Sequence, residues 1–332
     1  MASRGTLGQT VTTSLQACVA ALRTVPGIEI ELSAPMARYT TMRVGGAADV
    51  LVTTRESQAV PHVVRLARDH GLPLTVLGGG SNVLVADAGI RGVVVRIHGG
   101  DVSEATDDTV RADAGVTVNG LVRWLAGRGL AGLEAWAGTP GTVGGAIAGN
   151  AHFQGRLISE HVRSVRLLTA AGSQIDVPVE EMGFGYDRSR VQTSGEIVLS
   201  VVFAVRAGAS SDVLRGIARE SLAFRKRTQP LHQASAGCIF QNPGVDVPVP
   251  EGIPRSAGAL IDRAGLKGAV SGGAEVSRLH ANFLVVAPGS SASDVRALID
   301  RCRDAVSEAS HVRLDEEIVY LGDWPAAAEG ER

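Results

Sequence analysis

Three successive glycines, Gly78-Gly79-Gly80, run into Ser81-Asn82 between two short apolar runs of strand length, 74–77 and 83–85. Without a β-carbon, glycine tolerates backbone shapes that other residues resist. Such a run therefore lets several N–H groups converge on one concavity, an anion nest suited to a pyrophosphate. The same loop excludes a familiar alternative. A doubly wound dinucleotide fold needs G-x-G-x-x-G opening a helix, whereas Val83 stands in the place of the third glycine and a strand-like segment follows. The chain is expected to bind its nucleotide on a different fold.

A second cluster, Gly138-Thr139-Pro140-Gly141-Thr142-Val143-Gly144-Gly145, lies further along the chain, with Asn150 just downstream. Pro140 stiffens one end, and the glycines let a flat cofactor approach the backbone closely. Two such loops embedded among strands point to a bound nucleotide cofactor more strongly than either alone, ordinary tight turns being the alternative. Upstream, Arg43 beside Gly45 and Gly46 is a weaker phosphate candidate, and a surface arginine at a turn explains it equally well.

Apolar spacing fills in the surroundings. Leu15, Cys18, Val19 and Leu22 predict a short N-terminal helix, and Val60, Val63, Val64 and Ala67 a second one closed by Gly71. Segments 162–169 and 197–205 read as strands, the second apolar enough to be buried on both faces. Between them, Tyr186-Asp187-Arg188-Ser189-Arg190 places two arginines near a tyrosine, which suits a carboxylate or phosphate; a solvated loop with local Asp187 pairing is the alternative. A helix over 211–225 ends in Arg225-Lys226-Arg227, a basic end that complements the helix dipole. Composition resets after it, and a domain boundary is placed near residue 206.

The C-terminal part is organised around Ser235-Ala236-Gly237-Cys238-Ile239-Phe240-Gln241-Asn242-Pro243. Gly237 frees the backbone for a turn, and Ile239 and Phe240 predict a strand after it. Cys238 is then either a thiol presented to a pocket or a small core residue. His280 is either a ligand donor or a structural histidine. Val295, Leu298, Ile299 and Cys302 form the buried stripe of a helix over 293–305, so Cys302 is structural. Segment 312–321 alternates as a strand and carries Asp315-Glu316-Glu317, whose spacing alone does not select the functional carboxylate. Residues 326–332 read as a disordered tail.

The 332 residues carry a net charge of −2, which offers no bulk attraction to nucleic acid or anionic lipid. Three widely spaced cysteines suit a reducing compartment rather than a disulfide framework or a zinc site. No apolar run approaches the roughly 18 residues that cross a bilayer. The cytoplasm is the expected location, with no nucleic-acid, membrane or metal partner.

Taken together, the 78–84, 139–145 and 235–243 stretches, Ala257-Gly258-Ala259-Leu260-Ile261-Asp262 and Gly272-Gly273-Ala274 resemble the UDP-N-acetylenolpyruvoylglucosamine reductases, the MurB-type enzymes, in order and spacing. The resemblance runs from about Thr40 to Leu321 and includes the shorter subclass, which lacks a tyrosine-bearing loop after Val205. It implies an α+β protein, with a vanillyl-alcohol-oxidase-type FAD-binding domain (36–205) and a C-terminal α+β substrate-binding domain (206–322), between an N-terminal helical segment (1–35) and a tail (323–332). It also implies the chemistry: NADPH reduces FAD, reduced flavin passes hydride to the enolpyruvyl group of the UDP-sugar, and a proton is added at the adjacent carbon.

In the family a small side chain in the Ser-Ala-Gly-x-x-Phe motif, usually a serine directly after the glycine, delivers that proton, and Cys238 stands at the matching position here. A free thiol, with a pKa of about 8.5, is a far better acid than an aliphatic hydroxyl. The family's Leu-acid-x-Glu pattern selects Glu317. Its arginine directly follows the tyrosine, where this chain has Asp187, so Arg188, Arg190 or some other arrangement takes the role. The resemblance thus implies Cys238, Glu317 and Arg188 as catalytic residues. It implies Arg43, Gly45, Gly78, Gly79, Gly80, Ser81, Asn82, Thr139, Pro140, Gly141, Gly144, Gly145 and Asn150 at the cofactor, and Tyr186, Arg190, Arg227, Gln241, Asn242 and His280 at the substrate. The expected partners are the UDP-sugar and NADPH, with the protein a monomer or weak homodimer. Two other readings stand beside this one: a related flavin reductase of a specialised-metabolite pathway, and a non-catalytic regulator that binds flavin or nucleotide sugar.

Overall fold

A computed structural model describes residues 4–325, with side chains from residue 13 onward. The chain divides into two compact units: Met1–Leu32, Val50–Gly79 and Gly92–Arg225 form the first, and Ser33–Asp49, Gly80–Arg91 and Lys226–Arg332 the second. The tail read over 326–332 lies outside the described residues.

The first unit is built on a five-stranded antiparallel sheet in the order Gln174–Pro178, Val162–Leu168, Ile197–Ala204, Thr109–Asp113, Val102–Thr106. Its register stacks apolar residues across neighbours: Val165 opposes Val177 on one side and Val201 on the other, and Val201 opposes Ala112. All four are buried. The central strand Ile197–Ala204 is buried along most of its length, as its unbroken apolar run requires, and the helix Val143–Ala148 packs on it. A smaller core joins Cys18, Val19 and Leu22 of the helix Arg4–Leu22 to Val63 and Ala67 of the helix Val60–Asp69 and to Val93 and Val95. The N-terminal helix is thus longer than its apolar spacing indicates. Leu74–Leu77 runs parallel to the chain at Val93–Arg96 and delivers it into the first glycine loop.

The second unit holds a three-stranded antiparallel sheet, Val270–Ser271, Ala274–Val276 and Leu284–Val286, with the helices Ala257–Arg263 and Ala292–Ser310. Val295, Leu298, Ile299 and Cys302 face its core, and burial pushes the Cys302 thiol up to about 12, which fixes it as packing. Val83–Val85 pairs in parallel with Val319–Leu321. Two strand expectations need correction here. Burial alternates through Val312, Leu314 and Ile318 as expected, yet only Val319–Leu321 forms a ladder, and Glu316 makes a single bridge to Phe240. Cys238 and Phe240 likewise make isolated bridges, to Phe283 and Glu316. Periodicity sets which way side chains face; a ladder also needs a neighbour of matching length.

Candidate active site

In the first unit the two glycine loops meet. A β-carbon at Gly79 would lie 2.7 Å from Gly141 Cα, and one at Gly78 would collide with Thr142 Oγ1. Among the described residues, the N–H groups of Gly78, Gly79, Gly141 and Thr142 donate to no backbone acceptor. This juxtaposed set of open donors suits the oxygens of a diphosphate. Thr142 itself caps the helix Val143–Ala148 by accepting from Gly145 N, while the N–H groups of Val143 and Gly144 are engaged by the carbonyls of Val116 and Ala114. Pro140 and Gly145 are exposed at the loop surface.

Two residues that pattern reading passed over shape the second loop. Asn119 accepts from Gly138 N at 2.6 Å and donates to the Thr139 carbonyl at 3.2 Å. Arg225, taken from the sequence as a helix-end charge, is instead buried; it donates to Thr139 Oγ1 at 2.8 Å and lies 3.7 Å over the Phe153 ring. Only its helical phase, opposite the exposed Lys226 and Arg227, hinted at this. Asn150, with a left-handed φ of 43°, is fully buried; it donates to the Gly185 carbonyl at 2.7 Å and accepts from Ser159 N at 3.2 Å. Its amide ties two protein loops together.

The 185–190 segment is a tight turn. Gly185 and Arg188 exchange both backbone hydrogen bonds, at 3.0 and 3.3 Å, and Asp187 sits at φ 49°. Asp187 Oδ1 is 3.0 Å from Nδ1 of His152, and the Tyr186 ring stacks 4.7 Å from that imidazole. The two arginines differ sharply. Arg190 forms a bidentate pair with Glu196, both contacts at 2.8 Å, whereas Arg188 is exposed and makes no ion pair among the described residues.

In the second unit, Gly237 takes φ 84° and turns the chain into half-buried Cys238. Asn282, which the sequence reading missed, clamps the two residues after the thiol. Its side chain accepts from Phe240 N at 3.0 Å and donates to the Phe240 carbonyl at 2.7 Å, while its own carbonyl takes Ile239 N at 3.0 Å. Glu317 N donates to the Ile239 carbonyl at 2.8 Å, and the Glu317 carbonyl accepts from Asn82 Nδ2 at 3.0 Å. The thiol and this carboxylate therefore belong to adjacent, cross-braced segments. Glu316 is taken by Arg303 of the helix Ala292–Ser310. That pairing separates the two glutamates that spacing alone left equivalent.

The other candidates are scattered. His280 packs edge-on against Phe283, and its Nδ1 accepts from Asn282 N at 3.3 Å; burial, aided by the Lys267 charge, holds it below its ordinary value and so neutral. It braces the Asn282 clamp. Asn242 Oδ1 accepts from Ala257 N at 3.0 Å, Gln241 N is bound to the Asp315 carbonyl, and Arg227 is exposed. Gly45 and Gly46 abut Val85 and Asp87, Gly80 abuts Tyr39, and Arg43 is exposed at φ 58°. Ser81 is half-buried, its carbonyl near Thr41 Oγ1.

Residues 229–321 match the UDP-N-acetylenolpyruvoylglucosamine reductase, C-terminal domain, and residues 48–178 match the FAD binding domain. The UDP-N-acetylenolpyruvoylglucosamine reductase of Heliobacterium modesticaldum is 38% identical over 297 residues, covering 89% of this chain and 92% of that protein. The chain belongs to the UDP-N-acetylenolpyruvoylglucosamine reductase family. The reductase of Halalkalibacterium halodurans is 33% identical over 310 residues, 93% of this chain and all of that protein. The crystal structure of the Thermus caldophilus reductase superposes with a TM-score of 0.72 at 32% identity, covering 89% of this chain and 98% of that one. The fold is accordingly α+β, a FAD-binding domain followed by the reductase's own C-terminal domain. Both glycine loops fall within the matched FAD-binding stretch. Their open N–H groups and the buried guanidinium beside Thr139 are a donor set that fits this cofactor. No helix among the described residues is long and apolar enough to cross a membrane.

Proposed function

We propose that this protein reduces UDP-N-acetylglucosamine enolpyruvate to UDP-N-acetylmuramate with NADPH and FAD, a step of peptidoglycan precursor synthesis, and that Cys238 supplies the proton. When bound, FAD carries a hydride from NADPH to the enolpyruvyl double bond. The residues of the chain divide the remaining work. Gly78, Gly79, Gly141 and Thr142 offer N–H groups to the cofactor phosphates, in a flavin domain over 36–205. Arg188 offers the charge for the substrate carboxylate. Glu317, in the substrate domain over 206–322, helps stabilise the enol-like substrate left by hydride addition, with its carboxyl protonated so that it donates a hydrogen bond to the developing charge. Cys238 donates its thiol proton at the adjacent carbon and is re-protonated from solvent.

The observation that carries the reading is the bracing of Cys238. The Asn282 clamp and the Glu317–Ile239 hydrogen bond fix the two residues that follow the thiol, and a general acid must be held within hydrogen-bond reach of its target. The commitment of Arg190 to Glu196 supports Arg188 as the arginine open to substrate. The protein acts in the cytoplasm as a monomer or weak homodimer.

Anaerobic half-reactions test the assignment. Purified protein is expected to be yellow and to bleach with NADPH. In Cys238→Ala bleaching persists, while re-oxidation by the UDP-sugar slows by about 100-fold or more, the usual worth of a positioned acid; Cys238→Ser recovers much of it. Unchanged re-oxidation in Cys238→Ala would remove the thiol from the mechanism.

A further inference from the structure

The acid that stands directly after Tyr186 raises a chemical difficulty. Asp187 precedes Arg188, and a carboxylate beside the guanidinium would neutralise it in place of the substrate. The turn avoids this. At φ 49° the Asp187 backbone is left-handed, and its carboxylate, with a side chain only 7% exposed, is directed to Nδ1 of His152 at 3.0 Å. Asp187 Oδ2 is buried and accepts from no group among the described residues, so the contact of Oδ1 with His152 is what holds this carboxylate there.

His152 is itself presented by a short hairpin, His152–Phe153 paired with Arg156–Leu157, whose two turn residues, Gln154 and Gly155, both take positive φ. That is the backbone pattern of a tight two-residue hairpin turn. Tyr186 stacks on the imidazole and places its hydroxyl 3.4 Å from Nε2, Gln192 Nε2 donates to the Asp187 carbonyl at 2.9 Å, and Asn150 holds Gly185. These contacts fix the same four residues, and none of them engages the Arg188 side chain.

We propose that His152 is a positioning residue of the reductase: by holding the Asp187 carboxylate it locks the 185–188 turn and leaves Arg188 as the charge open to the substrate carboxylate. This rests on the reading of Arg188 given above. With His152 removed, the buried carboxylate loses its partner, and Arg188, the next residue along, is a cation left to replace it. Substrate recognition then falls although no residue that touches substrate has changed.

The test uses the FAD-loaded enzyme, with NADPH and the UDP-sugar as probes. In His152→Ala, flavin reduction by NADPH is expected to stay near wild type. KM for the UDP-sugar rises, and kcat/KM falls about 10- to 100-fold, the size of one lost charge-assisted hydrogen bond. Adding Asp187→Asn to that variant removes the competing charge and restores kcat/KM to within about threefold of Asp187→Asn alone, a rescue that lost packing would not produce. The inference is overturned if His152→Ala leaves the UDP-sugar kinetics unchanged, or if the double variant is no better than His152→Ala. Arg188→Ala separates the two readings. Full substrate kinetics in that variant would sink the Arg188 assignment itself, whereas a damaged Arg188→Ala beside an intact or unrescued His152→Ala would sink only the role of His152.

Discussion

The cradle of glycine loops that we propose for the flavin in the first unit and the Cys238 turn of the second both depend on glycine, but for opposite reasons. Gly78 and Gly79 are needed for space: a β-carbon on either would strike Gly141 or Thr142. Gly237 has nothing within 4 Å of where a β-carbon would stand and is needed for its φ of 84°. The cradle is shaped by side chains that are missing, the turn by side chains that are present, chiefly Asn282. A phosphate-binding loop must leave its N–H groups to the ligand, so its shape has to come from backbone contact. A loop that carries an acid can spend its own N–H and carbonyl groups on a clamp and still present the thiol.

That contrast is broken most severely at the clamp. Asn282→Ala strips Phe240 of partners for both its N–H and its carbonyl in a buried position, and the expected loss of stability is about 3 kcal/mol. Chemical denaturation measures it, and flavin bound by the first unit should survive at denaturant concentrations where turnover has gone. If flavin release and loss of turnover coincide in this variant, the two loops are not independently held. Gly79→Ala is the converse experiment. Forcing a methyl group against Gly141 costs about 2 kcal/mol, as overpacking does, and displaces the open N–H groups. FAD affinity measured by fluorescence titration should drop while the Cys238 turn keeps its thiol reactivity; an unchanged affinity would mean that the cradle tolerates separation.

The same division explains what could be read in advance. Glycine requirements are local, so the loops at 78–80 and 138–145 stood out from residue type alone. The buried strand 197–205 and the Cys302 stripe followed from apolar spacing. Clamps are not local. Asn282 lies 42 residues from Phe240, Asn119 lies 19 from Gly138, and Arg225 lies 86 from Thr139; beyond the helical phase of Arg225, nothing in their own neighbourhoods marks them. His152 escaped notice for the same reason, its partner being 35 residues away. The resemblance to the reductases identified Cys238 and Glu317 for attention, but where Asp187 stands in place of arginine it left Arg188 and Arg190 as alternatives. There the pairing geometry of Arg190 and Asp187 is the more informative guide.

The segment 80–91 shows how a stretch that begins as a glycine loop is kept with the second unit, and it gives the smallest and most specific effect. Asp87 accepts from Ala292 N at 2.7 Å and from Ser293 N and Oγ at 2.9 and 2.6 Å, capping the helix Ala292–Ser310 from more than 200 residues away. Burial pulls its carboxyl upward, but the hydrogen bonds from Ser293 and Ala292 outweigh that and hold it below the ordinary carboxylate value. A group whose pKa is lower folded than unfolded stabilises the fold above its unfolded value, about 3.9, and loses that contribution as pH falls through the folded value. Asp87→Ala should therefore cost about 1 kcal/mol near neutrality, the worth of a helix cap. The gap between wild type and variant should persist down to about pH 4 and close only below it. Melting curves recorded between pH 7 and pH 3 decide the matter: a gap already closing near pH 6 would point to a histidine rather than Asp87 as the group that ties 80–91 to the helix.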